Sequence, residues 1–274
     1  MPTDVADAEA VETAADRIEQ ELGPIDVWVN NAMATVFATV ADTNASEFRR
    51  ATEVTYLGTV HGTMAALRRM RPRHTGTIIN VGSALAYRSV PLQAAYCGAK
   101  SAIRGFTDSL RSELIHDRSG ISLCMVHLPA VNTPQFEWAL NKLGRRAQPV
   151  PPIYQPEVPA RAIVFAANHP RREIWVGFPT IVAILANRIA PGFADWYLAR
   201  HGYTGQMTAE PKPLDAPGNL FMPVSGDYGA HGRFGDRSRA KSWEMLTSRH
   251  RDLVTFGVVA LAFLARRRLL RKQR

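Results

Sequence analysis

Residues 76–128 read GTIINVGSALAYRSVPLQAAYCGAKSAIRGFTDSLRSELIHDRSGISLCMVHL, and this stretch decides the fold. Gly76 to Val81 is a short β-branched run, Ala94 to Asp117 carries the period of a long helix, and Ile121 to Leu128 is a second apolar run stopped by Pro129. A strand, a helix of two dozen residues and another strand make a crossover unit, so the two strands lie parallel. Upstream, Val11 to Leu22 predicts a helix closed by Gly23-Pro24, Ile25 to Val29 a buried strand, and Asn44 to Met70 a long helix. Downstream come a Pro-rich stretch from Gln135 to Pro156, a helix over Glu157 to His169 and a last strand over Glu173 to Val176. The alternation implies an α/β fold, a doubly wound parallel sheet covered on both faces. It stops at Pro179. Ile181 to Arg200 predicts one or two helices, and Thr204 to Lys241, rich in Gly, Pro and Asp, reads as irregular surface chain.

With 274 residues and 46% hydrophobic content the chain can bury a sizeable core. Two cysteines, Cys97 and Cys124, exclude a disulfide framework and a four-cysteine zinc site, and point to a reducing, cytoplasmic setting. Met1 to Gly23 is acidic and lacks the apolar segment of a secretory signal. The net charge of +9 is concentrated at one end: residues 249–274 hold eight basic residues against one acid, leaving only +2 for residues 1–248. The globular part is therefore no basic nucleic-acid platform. Within the tail, Leu253 to Ala265 is uncharged and is followed by Arg266-Arg267-Arg268. Thirteen helical residues reach ~20 Å, short of a bilayer's ~30 Å core. Residues 253–274 are expected either to touch a membrane surface peripherally or to pack on the domain or a partner subunit.

Three polar residues stand out. Ser83 follows a strand, and Tyr96 and Lys100 lie one turn apart on the next helix, facing the same way. A tyrosine is a poor proton carrier at neutral pH, but an ammonium within ~4–6 Å favours its phenolate. A serine at a strand's carboxyl end can donate to a substrate oxygen. A Tyr-x-x-x-Lys pair alone is a weak signal, and its surroundings strengthen it. Asn30-Asn31-Ala32 ends one strand, Val81-Gly82-Ser83 the next, Tyr96-Cys97-Gly98-Ala99-Lys100 sits on the helix after it, and Pro129-Ala130-Val131-Asn132-Thr133 ends the following strand.

In this order the chain resembles the short-chain dehydrogenase/reductase family over about Asp4 to Gly177, residues 1–178 forming its Rossmann-type core, 179–248 a C-terminal extension and 249–274 the basic tail. The resemblance implies NAD(P)-dependent interconversion of an alcohol and a carbonyl, with NAD or NADP as cofactor. Tyr96 would exchange the proton, Lys100 would lower the tyrosine pKa and hold the nicotinamide ribose, and Ser83 would position the substrate oxygen. Cofactor contacts carry over to Asp4 and Val5 beside adenine, Asn31 and Ala32 along the adenosine, Pro129, and Thr133 at the carboxamide. Thr55 stands where the family has a catalytic asparagine, and Met33 and Ala130 replace customary glycines. The family's first strands and glycine-rich turn would precede Asp4, and no G-x-x-x-G-x-G occurs in the chain. The core is thus expected to be N-terminally truncated, with the natural start upstream of Met1 and weak cofactor binding by these residues alone. The segment with Phe136, Trp138, Leu140 and Leu143 implies an apolar lid over a lipophilic substrate, or aromatic packing of that segment onto its own domain. Association as a homodimer is expected through the helices Asn44–Met70 and Ala94–Asp117. The other reading is a non-catalytic interaction or membrane-attached module derived from the same fold.

Overall fold

Successive residues of a strand face opposite sides of its sheet, and here the two sides are filled by different helices. Ile78 and Leu123 point into a cluster with Val11, Ala15, Ala65, Met70 and Leu114, whereas Ile79 and Cys124 point the other way, against Val158, Ala162 and Ile174. The computed structural model, which describes residues 1–245, has four strands in its main sheet. They are β1 (Val27–Asn30), β2 (Gly76–Ser83), β3 (Ile121–Leu128) and β4 (Glu173–Trp175), all parallel and adjacent in that order. The helices α1 (Ala8–Leu22), α2 (Ala45–Thr52), α3 (Gly58–Met70) and α4 (Ala94–His116) precede β3, and α5 (Glu157–Asn168) follows it. Residues of α1, α3 and α4 fill one face of the sheet, and those of α5 the other.

The strand β2 pairs with β3 over its whole length, from Gly76 opposite Ile121 to Ser83 opposite Leu128. That register brings the carboxyl ends of both strands to one edge, where Ser83 sits. A buried polar network pins the layers together. Trp28 Nε1 donates to Asn30 Oδ1 at 2.8 Å, Asn30 Nδ2 donates to Thr63 Oγ1 at 2.9 Å and Asn80 Oδ1 at 2.8 Å, and Asn80 Nδ2 donates to Thr107 Oγ1 at 2.9 Å. Because these side chains are satisfied by one another, they fix the placement of β1, β2, α3 and α4 without leaving a buried orphan.

The helix expected from Asn44 to Met70 is one rod in two parts: α2 and α3 are joined by a π-helical turn, Glu53–Leu57. Thr55 lies in that turn. Beyond β4, α6 (Phe178–Ile189) and α7 (Pro191–His201) resolve the pair of helices in the extension. The chain after them, expected to be irregular surface, instead forms the strand Met207–Pro211, antiparallel to Arg145–Ala147, and the short pair Ser238–Arg239 with Ile153–Tyr154, and it is not merely superficial. Leu220 is buried against Ala34, Ala51 and Ala95, and Phe234 against Phe37 and Phe136. The basic, apolar tail lies outside the described residues.

Candidate active site

Ser83, Tyr96 and Lys100 come together. Ser83 is the last residue of β2 and its hydroxyl accepts the Leu85 N–H at 3.1 Å, which caps the short turn that follows. The same hydroxyl lies beside the Tyr96 phenol and favours its ionised form. Lys100 is buried, its Nζ 5.6 Å from the centre of the Tyr96 ring and donating to the Val81 carbonyl at 2.6 Å. Two N–H groups of that ammonium remain for other partners.

Burial governs the protonation states. It pushes the Tyr96 phenol up to about 12, with the Ser83 hydroxyl pulling the other way, and brings Lys100 down to about 8. The expected lowering of Tyr96 by Lys100 is not seen: desolvation, which penalises phenolate and ammonium alike, raises the phenol instead. At neutral pH Tyr96 carries its proton and Lys100 its charge.

Thr55 has its hydroxyl engaged by the backbone of Ala34: it accepts the Ala34 N–H and donates to the Ala34 carbonyl, both at 2.9 Å, so it clamps the loop that follows Asn30-Asn31-Ala32. A π turn inserts one residue into the helix and re-aims its side chains, which is how Thr55 reaches that loop. Val5, Asn31 and Ala32 line one cleft of about 170 Å³ beside β1, together with Trp28, Gly58 and Gly62. Asp4 is exposed and paired with Arg50 at 2.6 Å. Pro129 and Thr133 flank a turn held by Tyr154, whose carbonyl accepts from Asn132 N at 2.8 Å and whose N–H donates to the Ala130 carbonyl at 2.9 Å. Gly232 crosses so closely that a Cβ there would meet the Thr133 carbonyl at 2.7 Å.

A nicotinamide cofactor fits one end of this arrangement and not the other. Lys100 and Tyr96 offer donors for a ribose, and Thr133 stands half-buried on the turn after β3. A pyrophosphate, in contrast, needs free helix amides. Asp7 occupies those of α1, accepting from Glu9 N and Ala10 N, and Asn44 with Glu47 closes those of α2. Among the described residues no glycine-rich turn replaces them.

Sequence reading missed a second cluster behind Ser83. His127, fully buried on β3, meets the Ser83 carbonyl through Nδ1 at 3.2 Å, while its Nε2 has no hydrogen-bond partner and lies 3.6 Å from Glu173 Oε2. Glu173 accepts from Tyr87 Oη at 2.6 Å and Trp175 Nε1 at 2.9 Å. Desolvation brings His127 down to about 4, so the imidazole stays neutral. A histidine inside the apolar run Leu123–Leu128 was the one signal for it. In the segment after Pro134, Phe136 packs onto its own domain, 5.9 Å from the Phe37 ring and 6.1 Å from that of Phe234.

With strand order, helix placement and the convergence of Ser83, Tyr96 and Lys100 established, likeness to known proteins becomes informative. Residues 1–142 match the family model described as short chain dehydrogenase. The chain belongs to the short-chain dehydrogenase/reductase family. It is 30% identical over 267 residues to the uncharacterized oxidoreductase YxnA of Bacillus subtilis, covering 97% of this chain and 73% of that protein. Dehydrogenase/reductase SDR family member 7 of Mus musculus is 28% identical over 207 residues, covering 74% of this chain and 61% of the relative. The probable oxidoreductase EphD of Mycobacterium tuberculosis is 40% identical over 131 residues, which is 47% of this chain and 22% of that protein. Except for YxnA, these relatives are matched over less than two thirds of their own length. A short-chain dehydrogenase from Streptomyces avermitilis superposes with a TM-score of 0.59 over 74% of this chain and 80% of the other, at 22% identity, a likeness of fold. As a short-chain dehydrogenase/reductase the chain is an oxidoreductase of a family that uses NAD(P).

Proposed function

We propose that this protein interconverts an alcohol and a carbonyl on a lipophilic small molecule, with Tyr96 handling the proton. The observation that carries the reading is the buried ammonium of Lys100, 5.6 Å from the Tyr96 ring and bonded to the Val81 carbonyl two residues before Ser83, whose hydroxyl favours the Tyr96 phenolate. NAD or NADP would be held at its nicotinamide end by Tyr96, Lys100, Pro129 and Thr133 and would supply hydride-transfer chemistry; Asp4, Val5, Asn31 and Ala32 would meet its adenosine only where a pyrophosphate seat, which the described residues do not form, joins the two ends. The chain's own residues do the rest. Ser83 donates to the substrate oxygen and orients it, and Tyr96 gives its phenolic proton to that oxygen in reduction or takes one back in oxidation. Lys100 keeps a positive charge next to the phenol as it loses its proton. Thr55 acts at one remove, by holding the loop after Asn31-Ala32 in place. A lipophilic substrate is supported by Trp138, which stays half-buried in the segment from Gln135 to Pro152 while Phe136 packs inward.

The test is turnover of the natural protein on lipophilic carbonyls with NADH or NADPH. Tyr96→Phe is expected to abolish most of it and leave cofactor affinity nearly unchanged; equal turnover in the variant overturns the reading in favour of a non-catalytic module. A homodimer and a cytoplasmic setting belong to the same proposal. The dimer is supported by exposed Phe48, Leu57 and Met64 on the rod of α2 and α3 and by small exposed residues, Gly98, Ser101 and Gly105, along α4. The setting is supported by Cys97 and Cys124, both free and buried.

A further inference from the structure

Helices α6 and α7 stand out from the rest of the molecule by what they leave uncovered. Of its twelve residues α6 buries Thr180 and Ile184, and α7 buries none. Val182, Leu185 and Ile189 fall on one side of α6 at helical spacing, and Phe193, Trp196 and Tyr197 follow on α7; all six are exposed, Ile189 to 81% and Phe193 to 65%. The aromatic rings are organised rather than scattered. Phe193 stacks at 5.7 Å on Trp196, and the Arg200 guanidinium lies 4.0 Å from that ring. The only acid of the two helices, Asp195, is neutralised by Arg88 at 2.5 Å, so the free charges are those of Arg188 and Arg200.

The described chain ends beside the first residue of α6. Met245 is packed against the sheet with Ile174 and Val176, and the carboxylate of Glu244 accepts the backbone N–H of Phe178, the first residue of α6. The sequence that continues from there carries a net +7 between Arg249 and Arg274 and the uncharged run Leu253–Ala265.

We propose that the α6–α7 face docks on an anionic phospholipid surface, with residues 249–274 supplying the electrostatic attraction. Apolar rings with polar tips, flanked by arginines, suit the boundary between headgroups and acyl chains. Basic residues next to such a face are drawn to a negative leaflet. A second copy of the chain fits less well, because it would bring two tails of the same high charge to one interface. Cover by the chain's own tail would set its arginines beside Arg188 and Arg200. No described helix is long and apolar enough to cross a membrane, so the contact is with the surface.

The experiment is co-sedimentation of the full chain with vesicles of phosphatidylcholine alone or mixed with phosphatidylserine. Saturable binding to the mixed vesicles, weakening with salt, is expected. The triple variant Ile189→Ser, Phe193→Ser, Trp196→Ser changes only exposed side chains and keeps the tail; it is expected to bind about tenfold or more weakly. Equal binding by this variant overturns the proposal, since the tail alone then suffices. A dimer that the triple variant dissociates, with no vesicle binding by the parent, assigns the face to a second copy. Protection of Trp196 from an aqueous quencher that is lost on deleting residues 249–274 assigns it to the tail; both outcomes refute docking on lipid. None of these readouts depends on the enzymatic reading.

Discussion

Two tyrosines follow Ser83, and their neighbours give them opposite chemistry. Tyr96 and Tyr87 are both raised to about 12, chiefly by burial, and each has a cation at its ring: Lys100 at 5.6 Å from Tyr96, Arg104 at 4.4 Å from Tyr87. Lys100 and Arg104 lie one turn apart on α4. The partner of the hydroxyl differs. Tyr87 donates to the Glu173 carboxylate, so ionising it would set two negative charges 2.6 Å apart. Tyr96 meets the Ser83 hydroxyl, which can donate to a phenolate. A pKa near 12 therefore does not tell a working acid from a locked one; the nature of the hydrogen-bond partner does.

The sharpest way to break this comparison is to remove each hydroxyl in turn. Tyr96→Phe is expected to lower turnover about 10³-fold, within the range that general acid–base groups supply. Tyr87→Phe should leave turnover nearly intact and instead cost stability, about 1.5–3 kcal/mol, because a hydrogen bond to a charged group is lost from Glu173. Steady-state kinetics and urea melts on both variants check it, and equal kinetic losses would mean that both tyrosines serve the same step.

The cations come next. Lys100 titrates near 8 in the fold against 10.5 when unfolded. Between those values the unfolded chain binds the extra proton, so stability rises with pH across that window. Relative to Lys100→Met, the parent should gain about 3 kcal/mol between pH 7 and pH 10.5, a gap that flat difference curves would disprove. On the other side of Ser83, His127 is held neutral, down to about 4. As pH falls from 6.5 toward 4 the unfolded state takes up the proton first, and stability is lost; His127→Gln should flatten that limb of the acid unfolding curve. Glu173, held below its ordinary value, acts in a lower window: although its own desolvation raises it, its bonds from Tyr87 and Trp175 prevail, and they fail only below about pH 4.5.

What could be read from residues alone follows this same division. The strand Ile121–Leu128 and the helix from Ala94 were legible because apolar spacing and a following proline are local signals, and Ser83, Tyr96 and Lys100 because each lies on an element whose period fixes its direction. The role of Thr55 was hidden. A π turn leaves no mark on the hydrophobic pattern from Asn44 to Met70, so its bond to Ala34 could not be foreseen. The His127–Glu173–Tyr87 cluster joins three segments separated by tens of residues, and nothing local links them. Leu220 and Phe234 were read as surface because Gly- and Pro-rich surroundings say only that a segment is irregular, not that it folds back. Phe136 shows the same limit, since an aromatic residue on a lid suits a substrate and a core equally well.

The smallest expected effect concerns the helix that carries both cations. Gly98 lies between Tyr96 and Lys100, Gly105 just past Arg104, and a Cβ at either would meet nothing within 4 Å. Both are interior to α4, where alanine is preferred over glycine by about 0.5–1 kcal/mol through the lost freedom of the unfolded chain. Each single Gly→Ala change should therefore raise the stability of one subunit by about that amount. If a second copy packs closely along the whole of α4, both methyl groups also intrude on the interface, and association measured by light scattering should weaken for Gly98→Ala and Gly105→Ala alike. Weakening by one alone would confine the contact to the first turns of α4, around Gly98, or to its middle, around Gly105. Stabilisation with unchanged association at both positions would show that α4 faces solvent and that no dimer forms through it.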